Sequence, residues 1–89
     1  MAEREFAEVL EREPRDSYAL LMLGAIASER GENARAQAFL RRAMDAAPNN
    51  PVTRDVLRSV VKGRRVDAIR VGARLSAATR ARVAPVLRD

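Results

Sequence analysis

Apolar residues recur at helical spacing along most of the chain, and a proline or glycine interrupts each run. The first run, residues 1–13, places Phe6, Val9 and Leu10 on one face and ends before Pro14. This pattern predicts one amphipathic helix that buries a single face against the rest of the protein.

The second and third runs predict a helical hairpin. The second run follows Asp16 or Ser17, either of which can cap a helix, and it is apolar around most of its circumference. Such a helix is expected to be buried between neighbours. Gly31 supplies the turn, and the third helix opens directly after it at Glu32 or Asn33.

Two more helices are predicted after the proline-containing stretch 47–51. The fourth runs from about Val52 to Val61, and Thr53 is a residue that can cap it. The fifth covers roughly residues 65–77, and its pattern is weaker because it contains Gly72 and several arginines.

The tail, residues 79–89, is predicted to form a short or frayed helix because it contains Pro85. No alternation of apolar and polar residues lasts long enough to predict a strand. The sequence therefore predicts an all-α fold of about five helices, and the short turns predict antiparallel helical hairpins. At 89 residues the chain is expected to form one domain over residues 1–89.

Composition excludes most catalytic chemistry. The chain has no Cys and no His, which removes thiolate nucleophiles, the usual general base and the commonest zinc ligands. We therefore predict no enzymatic activity, no catalytic residue, no metal site and no cofactor. The charged opening Met1–Glu5 does not resemble a signal segment, so a cytoplasmic location is expected.

Charge is divided unevenly along the chain. The net charge of +5 combines seven arginines and nine acids in residues 1–50, a net −2, with ten basic residues and three acids in residues 51–89, a net +7. The chain thus has an acidic half and a strongly basic half.

The chain repeats itself at an offset of 34 residues. The matched pairs are Ala2 with Ala36, Phe6 with Leu40, Val9 with Ala43 and Pro14 with Pro48. Residues 17–50 resemble one nearly complete tetratricopeptide repeat. The residues that carry the resemblance are Leu20, Leu23, Gly24, Ala27, Ala36, Leu40, Ala43 and Pro48. Two positions depart from the family pattern, because Leu20 stands where tryptophan is usual and Ala27 where tyrosine is preferred.

The flanking segments match less well. Residues 1–16 resemble the second helix of a preceding repeat, and residues 51–78 resemble a divergent repeat or a capping hairpin. The 34-residue offset would put Arg58 in the place of Gly24, whereas an offset of 32 aligns Gly63 with Gly31 and avoids buried charge. The resemblance implies a short right-handed α-solenoid.

By the same resemblance, the first helices of successive repeats line a concave groove that binds a partner protein or peptide. The groove residues it implies are Tyr18, Leu21, Ala25, Ser28, Asp55, Ser59 and Lys62. Leu21 and Ala25 stand where a carboxylate-binding subclass has charged and amide residues, so that mode is not expected. In a competing interpretation, Val9, Leu10 or a terminal helix covers Leu21 and Ala25. Tyr18 is expected either to contact a partner or to pack beside Pro14.

The predicted function is a non-catalytic protein-interaction module that binds a partner protein or peptide through its groove or self-associates. A partner subunit or a second copy is expected to cover Phe6, Val9 and Leu10, because half a repeat lacks the helix that usually covers these positions. The alternative is a nucleic-acid-associated protein that uses the basic half. Its predicted basic patch consists of Arg54, Arg58, Arg64, Arg65, Arg70 and Arg74. No membrane role is predicted, because the fifth helix has no aromatic anchor.

Overall fold

Helices dominate the part of the chain that the structure describes, residues 2–75 of a computed structural model. In chain order they are α1 (Ala2–Arg12), α2 (Ser17–Glu29), α3 (Asn33–Ala46), α4 (Pro51–Val61) and α5 (residues 68–75). No strand occurs within this range, which confirms the predicted all-α fold. The predicted tail 79–89 and the last two residues of the predicted fifth helix lie outside the described residues.

The central element is α2, which packs against α1, α3 and α4. Because neighbours surround it, its buried residues lie on almost every side of the helix. They are Ala19, Leu20, Leu21, Met22, Leu23, Gly24, Ala25, Ala27 and Ser28. The prediction of a buried second helix is confirmed.

A close approach between α2 and α3 forms the tightest part of the core. A Cβ atom on Gly24 would lie 2.7 Å from Leu40 Cγ and 3.3 Å from the Ala36 carbonyl oxygen. Leu40 and Ala36 are both fully buried, so the helices have no free space at this point. Only glycine fits there without displacing the Leu40 side chain or the α3 backbone.

On the other side of α2, α1 covers the core with Phe6 and Leu10, which are partly buried against it. Glu3 forms ion pairs with Arg30, at the end of α2, and with Arg35 of α3. The two arginines are about half exposed, so these pairs are screened by water and apolar packing is the main contact of α1.

Side chains cap two of the helices. Asp16 caps α2 as predicted, and its Oδ1 accepts a hydrogen bond of 2.9 Å from the Ala19 N–H. The predicted cap of α4 is wrong, because Asn50 caps this helix by accepting from the Val52 N–H at 3.0 Å. Thr53 lies inside α4, fully buried, and its Oγ1 has no hydrogen-bond partner among residues 2–75. The helix starts earlier than predicted because Pro51 suits the first helical position.

The α2–α3 and α4–α5 connections begin with the same turn, 32 residues apart. Gly31 and Gly63 have φ of 81° and 82°, a conformation that favours glycine. The Gly31 N–H donates to the Ser28 carbonyl, and the Gly63 N–H donates to the Val60 carbonyl, both at 2.9 Å. This equivalence agrees with the predicted 32-residue alignment.

The two connections then diverge. Only Glu32 stands between Gly31 and α3, whereas the non-helical residues 64–67 separate Gly63 from α5. The helix begins later than the predicted residue 65 because the Asp67 carboxylate accepts from the N–H groups of residues 69 and 70. Because of this longer connection, α5 does not take the position beside α4 that α3 takes beside α2. Within residues 2–75, no helix is long and apolar enough to cross a membrane.

The close approach at Gly24 predicts a strong effect of Gly24→Leu. The added side chain must displace Leu40 or the α3 backbone, which costs about 1–3 kcal/mol or more. We expect the thermal midpoint of circular dichroism to fall by roughly 4–8 °C for each kcal/mol. Gly72→Ala is the control, because a Cβ there meets only Met22 Cε at an ordinary 3.8 Å. An unchanged midpoint for Gly24→Leu would contradict the tight α2–α3 contact.

A second prediction tests which residue caps α4. Asn50→Ala removes the cap and should destabilise the protein by about 1 kcal/mol. Thr53→Val replaces an unpartnered buried hydroxyl by a methyl group of similar size, which is expected to be neutral or stabilising. Urea denaturation measures both variants, and a larger loss for Thr53→Val than for Asn50→Ala would be inconsistent with this assignment.

Candidate partner-binding groove

The predicted groove residues of α2 lie on one face of the helix, but they differ sharply in exposure. Tyr18 is 50% exposed, whereas Leu21 and Ala25 are completely buried and Ser28 is 3% exposed. The spacing of these four residues places them along one side of α2, as the resemblance implied. Three of the four are therefore covered within the protein itself.

Residues 64–75, which we call the internal segment, account for the burial of Ser28. The Val66 N–H donates to Ser28 Oγ at 3.1 Å. The same Oγ donates to the Arg64 carbonyl oxygen over a longer 3.5 Å. The Ser28 hydroxyl thus fixes the non-helical start of the internal segment against the end of α2.

A second contact places α5 beside a residue nearer the N-terminal end of α2. Gly72 approaches Met22, whose Cε would lie 3.8 Å from a Cβ atom on the glycine. Of the two buried groove residues, Ala25 lies between this contact and Ser28 on α2, whereas Leu21 directly precedes Met22. The internal segment therefore runs antiparallel to α2 and passes over Ala25. The competing interpretation, in which Val9, Leu10 or a terminal helix covers both Leu21 and Ala25, stays a prediction for Leu21.

The internal segment also contacts α4. Arg74 donates to an Asp55 carboxylate oxygen at 3.0 Å, an exposed ion pair. Ser59 is half-buried on the same side of α4, and Lys62 is exposed beyond its end. The groove is therefore the surface between α2 and α4, and the internal segment occupies it. The binding role of the seven predicted residues stays a prediction.

Tyr18 lies at the open end of the groove. Its ring packs edge-on against Phe6, with 5.5 Å between ring centroids and 71° between the ring planes. Tyr18 therefore packs on α1 with half of its surface accessible, and its contact with a partner stays a prediction.

The six residues of the predicted basic patch do not act as one set. Arg74 pairs with Asp55, and the Arg65 guanidinium lies against Gly31, where a Cβ would be 2.6 Å from it. Arg54 and Arg58 share the outward face of α4, while Arg64 and Arg70 are exposed on the internal segment. The role of these residues in nucleic-acid binding stays a prediction.

Two residues of the groove were not predicted from the sequence. Met22 was not expected to contact a terminal helix, and Arg74 was assigned to a basic patch instead of a partner for Asp55. No local sequence signal marks either contact, because both depend on where the chain turns after Gly63. Within residues 2–75, no group of three or more His, Cys, Asp or Glu residues is placed to hold a metal ion.

A match to a known protein family shows which family the chain belongs to. A model described as Tetratricopeptide repeat matches residues 2–58. The chain belongs to the tetratricopeptide repeat family. This match spans α1, α2, α3 and most of α4, and it ends before the internal segment. No curated protein and no solved structure matches the chain significantly. Tetratricopeptide repeats are in general protein-interaction modules without catalytic activity.

The covered groove predicts a local opening that thiol labelling can detect. The chain has no cysteine, so Ala25→Cys and Ala43→Cys each introduce one reporter at a completely buried position. Adding Ala68→Glu, which places a charge at a buried position of α5, should expel the internal segment. We expect labelling at position 25 to accelerate by at least about tenfold.

Labelling of the Ala43→Cys reporter should change much less, because position 43 lies in α3 within the hydrophobic core. Equal acceleration at both positions would mean that Ala68→Glu unfolds the whole domain, and no acceleration at position 25 would mean that the internal segment does not cover it.

Proposed function

We infer that this tetratricopeptide repeat protein binds a helical segment of a partner protein in the groove between α2 and α4. The observation that carries this proposal is the occupation of the groove by the internal segment. A groove that already holds a helix offers the shape and hydrogen-bonding groups that a partner helix would need. In the unbound chain the internal segment takes the place of that partner.

The contacts of the internal segment indicate the chemistry of the partner. Ala68 and Val71 are buried in the common core, and Val66 and Leu75 pack partly against it, so the bound face is a narrow apolar stripe with small side chains at its centre. Arg74, one turn after Val71, supplies a cation to Asp55. A fitting partner helix would carry small or β-branched residues one turn apart, followed by an arginine or lysine.

Such a partner must displace the internal segment. The apparent affinity is reduced by the fraction of molecules in which the groove is closed. The contacts of the internal segment are modest, since they comprise two hydrogen bonds with Ser28, one from the Arg64 N–H to the Ser59 carbonyl, one exposed ion pair and a small apolar face. Displacement by a partner helix is therefore energetically accessible.

A peptide added in trans tests the proposal. The probe is a fluorescein-labelled synthetic peptide with the sequence of residues 64–75, and its anisotropy is measured against full chains. Ala68→Glu should expel the internal segment while leaving the residues of α2 and α4 unchanged. We expect this variant to bind the peptide at least about tenfold more tightly than the unmodified chain.

Ile69→Glu is the matched control, because it adds the same charge at a neighbouring position that is 82% exposed. Its affinity for the peptide should equal that of the unmodified chain. A peptide that itself carries Ala68→Glu should not bind. If the Ala68→Glu protein stays folded by circular dichroism and shows no affinity for the unmodified peptide, the groove is not a helix-binding site.

A further inference from the structure

The two ends of the solenoid each present a helix face that would pack on a helix partner inside a longer array. Within the chain, α2 buries Leu20, Gly24 and Ala27, on the side that faces α3. The 34-residue offset places Arg54 and Arg58 at the positions of the first two. Because α5 lies in the groove, no helix within residues 2–75 covers this side of α4.

The exposed side of α4 is basic. Arg54 and Arg58 are exposed one turn apart, and Val61, 56% exposed, continues the same stripe. Neither arginine forms an ion pair with any residue in the described range. We call this surface the basic face of α4.

The opposite end of the solenoid is acidic. A surface cleft of about 390 Å³ lies along α1 and includes Val9, which the 34-residue offset equates with the buried Ala43 of α3. Its lining residues are Glu5, Glu8, Val9, Arg12, Glu13 and Asp16. Four carboxylates stand against one guanidinium in this lining, so the acidic cleft is net negative even with Arg4, which pairs with Glu8 at 3.6 Å from outside it. Val9 is 37% exposed within the cleft.

Repeat geometry gives the alignment in which these two surfaces would meet. In the α2–α3 pair, Gly24 lies against Ala36 and Leu40. The 34-residue offset equates Ala36 and Leu40 with Ala2 and Phe6 of α1, and it equates Gly24 with Arg58 of α4. In the equivalent contact between two copies, Arg58 therefore lies against residues 2–6 of α1. Antiparallel packing then places Arg54 one turn further on, near Glu8. Arginine in place of glycine holds the helices further apart, and its long side chain can reach carboxylates at the rim.

We propose that the basic face of α4 docks on the acidic cleft of α1 in a second copy of this chain, so that copies associate head to tail. Charge complementarity selects this occupant, because Arg58 meets Glu5 and Arg54 meets Glu8 in the alignment set by the repeat. The contact joins two different surfaces, and a contact of this type does not close a dimer but extends a series of copies. The contact uses neither face of the groove, so the outcome of its test does not depend on the proposed partner binding.

Sedimentation velocity of the full chain tests this contact. At about 20 mM salt we expect the weight-average sedimentation coefficient to increase with protein concentration. At about 300 mM salt it should fall to the monomer value, because exposed charges are screened. A chain that is monomeric at every concentration in low salt overturns the proposal, and so does association that persists unchanged at high salt.

Charge reversal identifies the surfaces. Glu5→Arg and Arg58→Glu should each abolish association, and the chain with both substitutions should regain it, since the reversed surfaces are complementary again. Glu11→Arg and Arg41→Glu are the matched controls, because they make the same charge changes at exposed positions outside both surfaces. Association that survives either single variant, or that the double variant does not restore, would show that other surfaces join the copies.

Discussion

The close contact of Gly24 with Leu40 and Ala36 is the constraint on which the other packing in this protein depends. With no Cβ at position 24, α2 and α3 approach closely enough for small and branched side chains to fill the space between them without a cavity. This pair then offers flat sides on which α1 and α4 pack. The core is aliphatic, and few aromatic residues are available to it, so its stability depends on fit between helices rather than on large side chains.

The connection after Gly63 decides what the groove looks like. Gly31 and Gly63 make the same turn, yet the chain after Gly63 stays non-helical for four residues before α5 starts. Those residues satisfy their backbone groups partly through the Ser28 hydroxyl, which no regular repeat would require. The result is a helix that lies across the concave side of α2 instead of completing a second hairpin beside α4. A surface that would otherwise be open is thereby filled by the chain itself.

The same displacement explains why the arginines of α4 are tolerated. In a regular repeat, Arg54 and Arg58 would be buried against the second helix of the hairpin, at a cost of several kcal/mol without partners. With α5 in the groove, both side chains stay in water. The division of charge noted in the sequence therefore becomes a division between two ends of the molecule, with carboxylates along α1 and guanidinium groups along α4. The two ends of the domain therefore differ in the sign of their exposed charge.

Sequence alone determined the helices, their order and the family, because these depend on local patterns. The spacing of Phe6 and Leu10, the cap at Asp16 and the turn at Gly31 all act within a few residues of one another. The sequence also indicated which side of α2 lines the groove. What covers that side was decided only by the tertiary structure, since the Val66–Ser28 hydrogen bond joins residues 38 positions apart. The cap of α4 was misassigned because burial of Thr53 depends on neighbouring helices, whereas Asn50 and Pro51 offered the better local start.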